Sequence, residues 1–219
     1  AGDRIAHGET FRVTNVNFVG NTEASDAQLR HLAGIRQGTH MFQADLNRTV
    51  HSVEQHPWVA DARARRRFPG TVEISVREHT PEMLVALDSL WYADARGQIF
   101  KQADPSRMDF PILSGLKPDT LTEHPELGHQ IVLSAFNVLQ TLRASTLIEE
   151  KQISEIHFDT QQGFTLVLRN GSRLVLGFDE APAKLDRLAQ MVTLGLDLNI
   201  PQVIDLDIDT VAVATPLPN

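Results

Sequence analysis

The side chains that could do chemistry in this 219-residue chain are nine histidines, two pairs of adjacent carboxylates and a run of arginines. A helical zinc pair needs two histidines four residues apart, so that both imidazoles leave one face. His51 and His56 are five apart, as are His124 and His129 beside Glu123 and Glu126, and His31, His40, His79 and His157 stand alone. There is no His-Glu-x-x-His. These histidines read as structural or solvated, with no metal and no cofactor. Glu149-Glu150 and Asp179-Glu180 are neighbours on the chain and so point apart. Glycosidic chemistry needs carboxylates that face each other across a substrate, so capping and solvation explain these pairs better. No Gly-x-Ser-x-Gly elbow, phosphate loop or dinucleotide fingerprint occurs. No catalytic residue is expected, and the chain does not read as an enzyme.

The arginines have two readings. Arg63, Arg65, Arg66 and Arg67 end a strand-like stretch. They could touch anionic lipid or a partner, but a solvated, twisted strand end explains them better. The net charge of −8 divides unevenly. Residues 1–79 hold 10 Lys and Arg against 9 Asp and Glu, and residues 80–219 hold 10 against 19. An acidic chain is a poor nucleic-acid binder, because binding rests on cations meeting phosphates. The asymmetry suggests two units divided near residue 79.

With 42% hydrophobic and 22% charged residues, the composition is that of an ordinary globular protein. The absence of cysteine excludes disulfides, thiolate metal sites and a cysteine nucleophile. The longest apolar run, Met83 to Leu87, is far short of the ~20 residues a spanning helix needs. The start, Ala1-Gly2-Asp3, has no initiator Met and reads as a mature or truncated terminus.

Hydrophobic periodicity places the elements. Phe11–Val19 reads as a strand with a bulge. Ser25, with Gln28 three residues on, forms a capping box for a short helix carrying Leu29 and Leu32 and ended by Gly34. Asp45 caps a second helix through Leu46, Thr49, Val50 and Val53, closed by Pro57. Strands follow over Trp58–Arg67 and Thr71–Arg77, split by Phe68-Pro69-Gly70. Further on, Met83–Leu87, Leu90–Ala93 and Gln98–Phe100 read as strands. A loop then holds Pro105, Pro111, Gly115 and Pro118. A helix from Pro125 carries the stripe Leu127, Ile131, Ser134, Val138 and Leu142. Ile153–Phe158 is a strand, and Asn170-Gly171 turns a hairpin between Phe164–Arg169 and Ser172–Gly177. A helix over Pro182–Leu196 buries Leu185, Leu188, Met191 and Val192. Two strands, Val203–Ile208 and Val211–Ala214, end before Pro216 and Pro218. Trp58 and Trp91 are expected to pack cores.

These residues resemble a known family. Val16-Asn17-Phe18-Val19-Gly20-Asn21, Pro57-Trp58-Val59 and Arg66 to Glu78 (Arg-Arg-Phe-Pro-Gly-Thr-Val-Glu-Ile-Ser-Val-Arg-Glu) resemble a POTRA domain, most closely that of the FtsQ/DivIB cell-division family. The resemblance continues through Trp91-Tyr92-Ala93-Asp94 with Gly97 and Phe100. It takes in Phe110 to Gly115, the hairpin Leu166 to Gly177, and Val203-Ile204-Asp205-Leu206 with Ala212-Val213. It implies an α+β protein: a POTRA domain of order β-α-α-β-β over residues 10–79, then a mostly antiparallel β domain with flanking helices over 80–219. It also implies the periplasmic part of a single-pass inner-membrane protein at the division septum, with its anchor upstream. The role implied is a non-catalytic divisome scaffold that binds FtsB and FtsL, two bitopic coiled-coil proteins, and helps regulate septal peptidoglycan synthesis. Other divisome components would be met through POTRA.

The implied contact is strand addition at the last strand of the β domain, where a partner pairs with unpaired backbone N–H and C=O groups. The matching positions are Ile208, Thr210, Val211, Ala212, Val213 and Ala214. Asp207 and Ile208 stand where the family often has an arginine and an aromatic, so side-chain anchoring differs here. Asp205, Asp207 and Asp209 would line one face with negative charge and favour a basic partner. The alternative is a POTRA-type periplasmic chaperone or interaction module for outer-membrane protein assembly. Such modules come as POTRA repeats followed by a barrel, and residues 80–219 show neither pattern. A third reading, an enzyme acting on cell-wall glycan or peptide, has no residue constellation behind it.

Overall fold

The computed structural model describes residues 11–178, 181–207 and 213–216. The chain forms two compact units that part between His79 and Thr80. The first contains β1 (Asn15–Val19), α1 (Asp26–Ala33), α2 (Leu46–Val53), β2 (Val59–Arg67) and β3 (Thr71–Glu78). Its sheet runs β1-β3-β2, with β1 parallel and β2 antiparallel to the central β3.

Local chemistry sets these elements. The Ser25 hydroxyl accepts from the Gln28 backbone N–H while the Gln28 side chain accepts from the Ser25 N–H, so α1 starts with its first donors satisfied. Gly34 ends α1 with φ of 64°, a left-handed conformation that costs glycine little. The Asp45 carboxylate caps α2 by accepting from Arg48 N–H at 3.1 Å. Val72, Ile74 and Val76 alternate inward from β3 and meet Leu29 of α1 and Val53 of α2 in the core. The Glu78 carboxylate accepts from the N–H groups of Thr22, Glu23 and Ala24, pinning the loop before α1 to the end of β3.

The first strand is shorter than its periodicity predicts. Residues 11–13 turn to the segment after α1 instead. Met41 N–H bonds Phe11 C=O, Val13 N–H bonds Thr39 C=O, and Arg12 bridges His40. A local pattern cannot distinguish these two partners for one extended stretch.

The second unit contains β4 (Met83–Ala86), β5 (Leu90–Ala93), β6 (Ile99–Gln102), β7 (Ile112–Ser114), α3 (Pro118–Glu123), α4 (Pro125–Ala144) and a 3-10 turn (Glu150–Gln152). After these come β8 (Ile153–Asp159), β9 (Gly163–Leu168), β10 (Arg173–Gly177), α5 (Ala181–Thr193), β11 (Gln202–Asp205) and β12 (Val213–Pro216). Among the described residues they make one nine-stranded sheet of order β12-β11-β10-β9-β8-β7-β4-β5-β6. Most pairings are antiparallel; β4–β7, β7–β8 and β10–β11 are parallel. Two of these parallel pairs are crossovers carried by helices, α4 between β7 and β8 and α5 between β10 and β11. Both helices lie over one face of the sheet. There Ile156, Leu166, Leu174 and Ile204 are buried with Val132, Leu139, Leu185 and Leu188. Residues of opposite parity, such as Glu155, Thr165, Val167 and Val175, stay half-exposed.

The structure corrects three sequence expectations here. The stretch read as a loop contains β7 and α3, since a strand of three residues and a helix of six are too short to show a period. The buried stripe of α4 is Ile131, Val132, Ala135, Phe136, Val138, Leu139 and Leu142 with Gly128, while Leu127 and Ser134 are exposed. Trp58 is buried, but Trp91 is only half-buried and donates Nε1–H to Asp88.

Candidate partner-binding edge

β12 is the outermost strand on one side of the nine-stranded sheet. It lies antiparallel to β11, with Val213 opposite Asp205, Ala214 opposite Ile204, Thr215 opposite Val203 and Pro216 opposite Gln202. Among the described residues nothing pairs its other side. Of the positions singled out in the sequence, Val213 and Ala214 lie in this strand; Ile208, Thr210, Val211 and Ala212 fall outside the described residues. The described part of the strand includes Pro216, which was expected to end the pattern. Proline lacks an N–H and is tolerated on an edge for that reason.

The strand beneath is firmly held. Ile204 and Leu206 are fully buried, and Leu206 N–H extends the parallel ladder to Val175 C=O. Gln202 is buried and donates its amide to Asp197 C=O at 2.6 Å. At the other end, α5 reaches over to fix the chain as it leaves β11. Arg187 donates to Leu206 C=O at 2.7 Å. Lys184, whose side chain is 3% exposed, donates to Asp207 Oδ1 at 2.6 Å and to Leu176 C=O. The Asp207 carboxylate occupies the place of a Cβ at position 177, where Gly177 has φ of 68°.

This corrects the expected acidic row. Asp207 is not a free carboxylate facing a partner but the mate of a buried ammonium. Asp205 Oδ1 accepts from Asp207 N–H at 2.9 Å, and Asp209 lies outside the described residues. Alternation along one strand could not reveal Lys184, which comes from a helix 23 residues earlier.

The fold also assembles a cluster with no linear signature. On the open face of the sheet, Ser114 Oγ lies 2.8 Å from Glu155 Oε1 and 2.8 Å from His157 Nδ1. A serine nucleophile needs a histidine that accepts its proton. The Ser114 hydroxyl carries a single proton, which it gives to Glu155 or to His157 Nδ1 according to the tautomer of the ring. The same Nδ1 lies 3.6 Å from Glu155, leaving no separate nitrogen to be oriented by the carboxylate. The arrangement is a cross-strand polar ladder between β7 and β8. Of the carboxylate pairs, Glu149 caps the 3-10 turn and Glu150 binds Arg143, which also holds Glu82; Asp179 and Glu180 lie outside the described residues. Among the described residues no three His, Asp or Glu side chains converge as a metal site requires.

In the first unit, β2 is one of the two edge strands, and among the described residues nothing pairs its outer side. Its arginines are largely engaged. Arg65 and Arg67 share Glu73 and, with the Arg65 hydrogen bond foremost, hold its carboxyl below the usual carboxylate range. Arg66 donates to Met41 C=O and Ala44 C=O, while Arg63 is exposed.

A three-stranded β-α-α-β-β unit followed by a mixed nine-stranded sheet with two crossover helices defines a POTRA-bearing α+β protein. Residues 11–79 match the family model "POTRA domain, FtsQ-type" and residues 85–207 match "Cell division protein FtsQ/DivIB, C-terminal". The chain is 32% identical over 193 residues to the cell division protein FtsQ of Syntrophotalea carbinolica, covering 87% of this chain and 68% of that protein. It is 31% identical over 186 residues to FtsQ of Anaeromyxobacter sp. strain K, covering 84% and 63%, and 30% identical over 182 residues to FtsQ of Myxococcus fulvus, covering 83% and 64%. The chain belongs to the FtsQ/DivIB family of cell division proteins. It spans roughly two thirds of the length of these relatives. Among the described residues, no helix is long and apolar enough to cross a membrane.

Proposed function

We propose that this chain is the periplasmic, non-catalytic part of a membrane-anchored division scaffold. In this reading β12 accepts a strand from FtsB-like and FtsL-like coiled-coil partners, and the complex helps regulate septal peptidoglycan synthesis. The observation that carries the reading is that, among the described residues, the outer side of β12 is unpaired while its inner side lies on a well-packed β11. A partner strand added there would gain backbone hydrogen bonds without disturbing the core. The POTRA unit would meet other divisome components, with the open edge of β2 as its natural surface. The FtsQ/DivIB C-terminal match over 85–207 favours this reading over an outer-membrane assembly module.

Two single variants test it. In an antiparallel strand, successive residues point their N–H groups to opposite sides. Of Val213→Pro and Ala214→Pro, one therefore removes a donor facing β11 and the other a donor facing outward. Calorimetry against the periplasmic segments of FtsB and FtsL from the same organism should show binding to the parent chain. One variant should lose that binding while keeping its melting temperature. Binding unchanged in both folded variants would move the site away from β12, and no binding by the parent chain would overturn the reading.

A further inference from the structure

At one end of the POTRA unit three phenylalanines meet in the open. Phe42 is 63% exposed and Phe68 56% exposed, and the half-buried Phe11 completes a triangle with them. Ring centroids are 6.1 Å apart for Phe11–Phe42, 5.7 Å for Phe11–Phe68 and 5.8 Å for Phe42–Phe68. The cluster is built from three separate segments that are tied together beneath the rings. Arg66 binds Met41 C=O and Ala44 C=O, fastening the Phe42 loop to the end of β2. Met41 N–H bonds Phe11 C=O, and Thr14 N–H bonds Gly70 C=O beside the Phe68 turn. The rings are thus held out on a fixed platform, where packing them inward would have gained free energy.

The surroundings are strongly basic on a chain of net charge −8. Segments 11–14, 36–48 and 61–70 together hold seven arginines and two acids, Asp45 and Asp61, the latter 3.9 Å from Arg63. Facing them from β3 is Glu73, already shared by Arg65 and Arg67. Exposed aromatic rings on segments rich in arginine match the chemistry of an anionic bilayer surface, with rings at the acyl boundary and guanidinium groups toward lipid phosphates. We propose that the Phe11–Phe42–Phe68 platform seats the POTRA unit on the anionic membrane surface. This rests on the membrane-anchored reading, in which the anchor precedes Phe11, so that the platform is the part of the unit nearest the bilayer.

The chain has no cysteine, so Gln43→Cys, next to Phe42, places a single environment-sensitive NBD label at the platform, and Gln55→Cys, beyond the far end of α2, provides a control. Each labelled chain is held through an N-terminal histidine tag on vesicles containing nickel-chelating and brominated lipids, with or without phosphatidylglycerol. The label at 43 should shift to the blue and be quenched on phosphatidylglycerol vesicles, whereas the label at 55 should not. Phe42→Ser with Phe68→Ser should abolish the effect with the circular dichroism spectrum unchanged. Equal behaviour of the two labels, or quenching that survives the double serine variant, would overturn the proposal. So would a blue shift that grows with protein concentration in the absence of vesicles, which would assign the platform to a second copy. The tag replaces the natural anchor and no partner is present, so failure here is separable from failure of strand addition at β12.

Discussion

Lys184 Nζ lies 2.6 Å from Asp207 Oδ1, joining the buried face of α5 to the first residue past Leu206. The ammonium also serves Leu176 C=O, so one side chain ties α5, the end of β10 and the exit of β11 into a single corner. The ammonium is the buried member of the pair and the carboxylate the exposed one, so removing Asp207 leaves a buried charge without its anion. Asp207→Ala should therefore destabilise the second unit by about 2–4 kcal/mol, measured by urea unfolding. Adding Lys184→Met should recover part of that loss, because the orphaned charge is gone. If the edge strand takes its position from this corner, Asp207→Ala should also weaken the proposed partner binding, and an unchanged affinity would separate the corner from the edge.

Glu78 offers one carboxylate to three backbone N–H groups, at 2.8 to 3.0 Å. Truncation to Ala leaves those donors without it and should cost about 1–3 kcal/mol. Hydrogen exchange of the Thr22, Glu23 and Ala24 amides should accelerate well beyond that of the β3 amides. Uniform acceleration would mean global rather than local loss.

His56 sets a pH dependence. Burial lowers its pKa below the ordinary 6.5, and the charge of Glu78 offsets this only in part. Its Nδ1 accepts from Trp58 N–H at 3.3 Å, a bond the protonated ring cannot accept. The folded state thus binds this proton less readily than the unfolded state. Its contribution to stability is complete above about pH 6.5 and is lost as pH falls from there through the lowered folded value. Melting temperature should decline over that window, and His56→Asn should flatten this part of the decline. An equal slope in both proteins would remove His56 as its source.

Ser114, Glu155 and His157 supply a negative test. The same nitrogen of His157 faces both Ser114 and Glu155, so the carboxylate does not orient the ring from its other nitrogen as an activated serine requires. Ser114→Ala should complement a strain depleted of this protein as well as the parent does. A division defect with normal fold and abundance would reopen the question of chemistry at this ladder.

Much of the fold was legible where a signal is local. The Ser25–Gln28 box, the Asp45 cap, the inward alternation of Val72, Ile74 and Val76, and the Asn170-Gly171 hairpin all follow from neighbours in sequence. What could not be read depends on distant partners. Phe11 to Val13 have two possible pairings, β7 is too short for a period, and Asp207 has its meaning set by Lys184. The platform of Phe11, Phe42 and Phe68 is likewise invisible in sequence, because a phenylalanine there looks like any other core candidate. The candidate edge was proposed from resemblance more than from periodicity, and four of its six positions fall outside the described residues.

The short strand β7 has a mechanical consequence. It joins the β4-β5-β6 meander to β8 and everything beyond it, through two residue pairs with β4 and three with β8. A pull on β12, resisted where the unit begins at β4, runs across the sheet and loads its ladders one after another. The narrowest cross-section on that path is the pair of rungs Leu84–Ile112 and Val85–Leu113. Those rungs do not bear the load unaided, because Val85 and Leu113 are buried in the core shared with Val132 and Leu139 of α4. The helix acts as a splint across the thinnest part of the sheet, so that tension from a docked partner would reach the first strands without tearing the sheet in two.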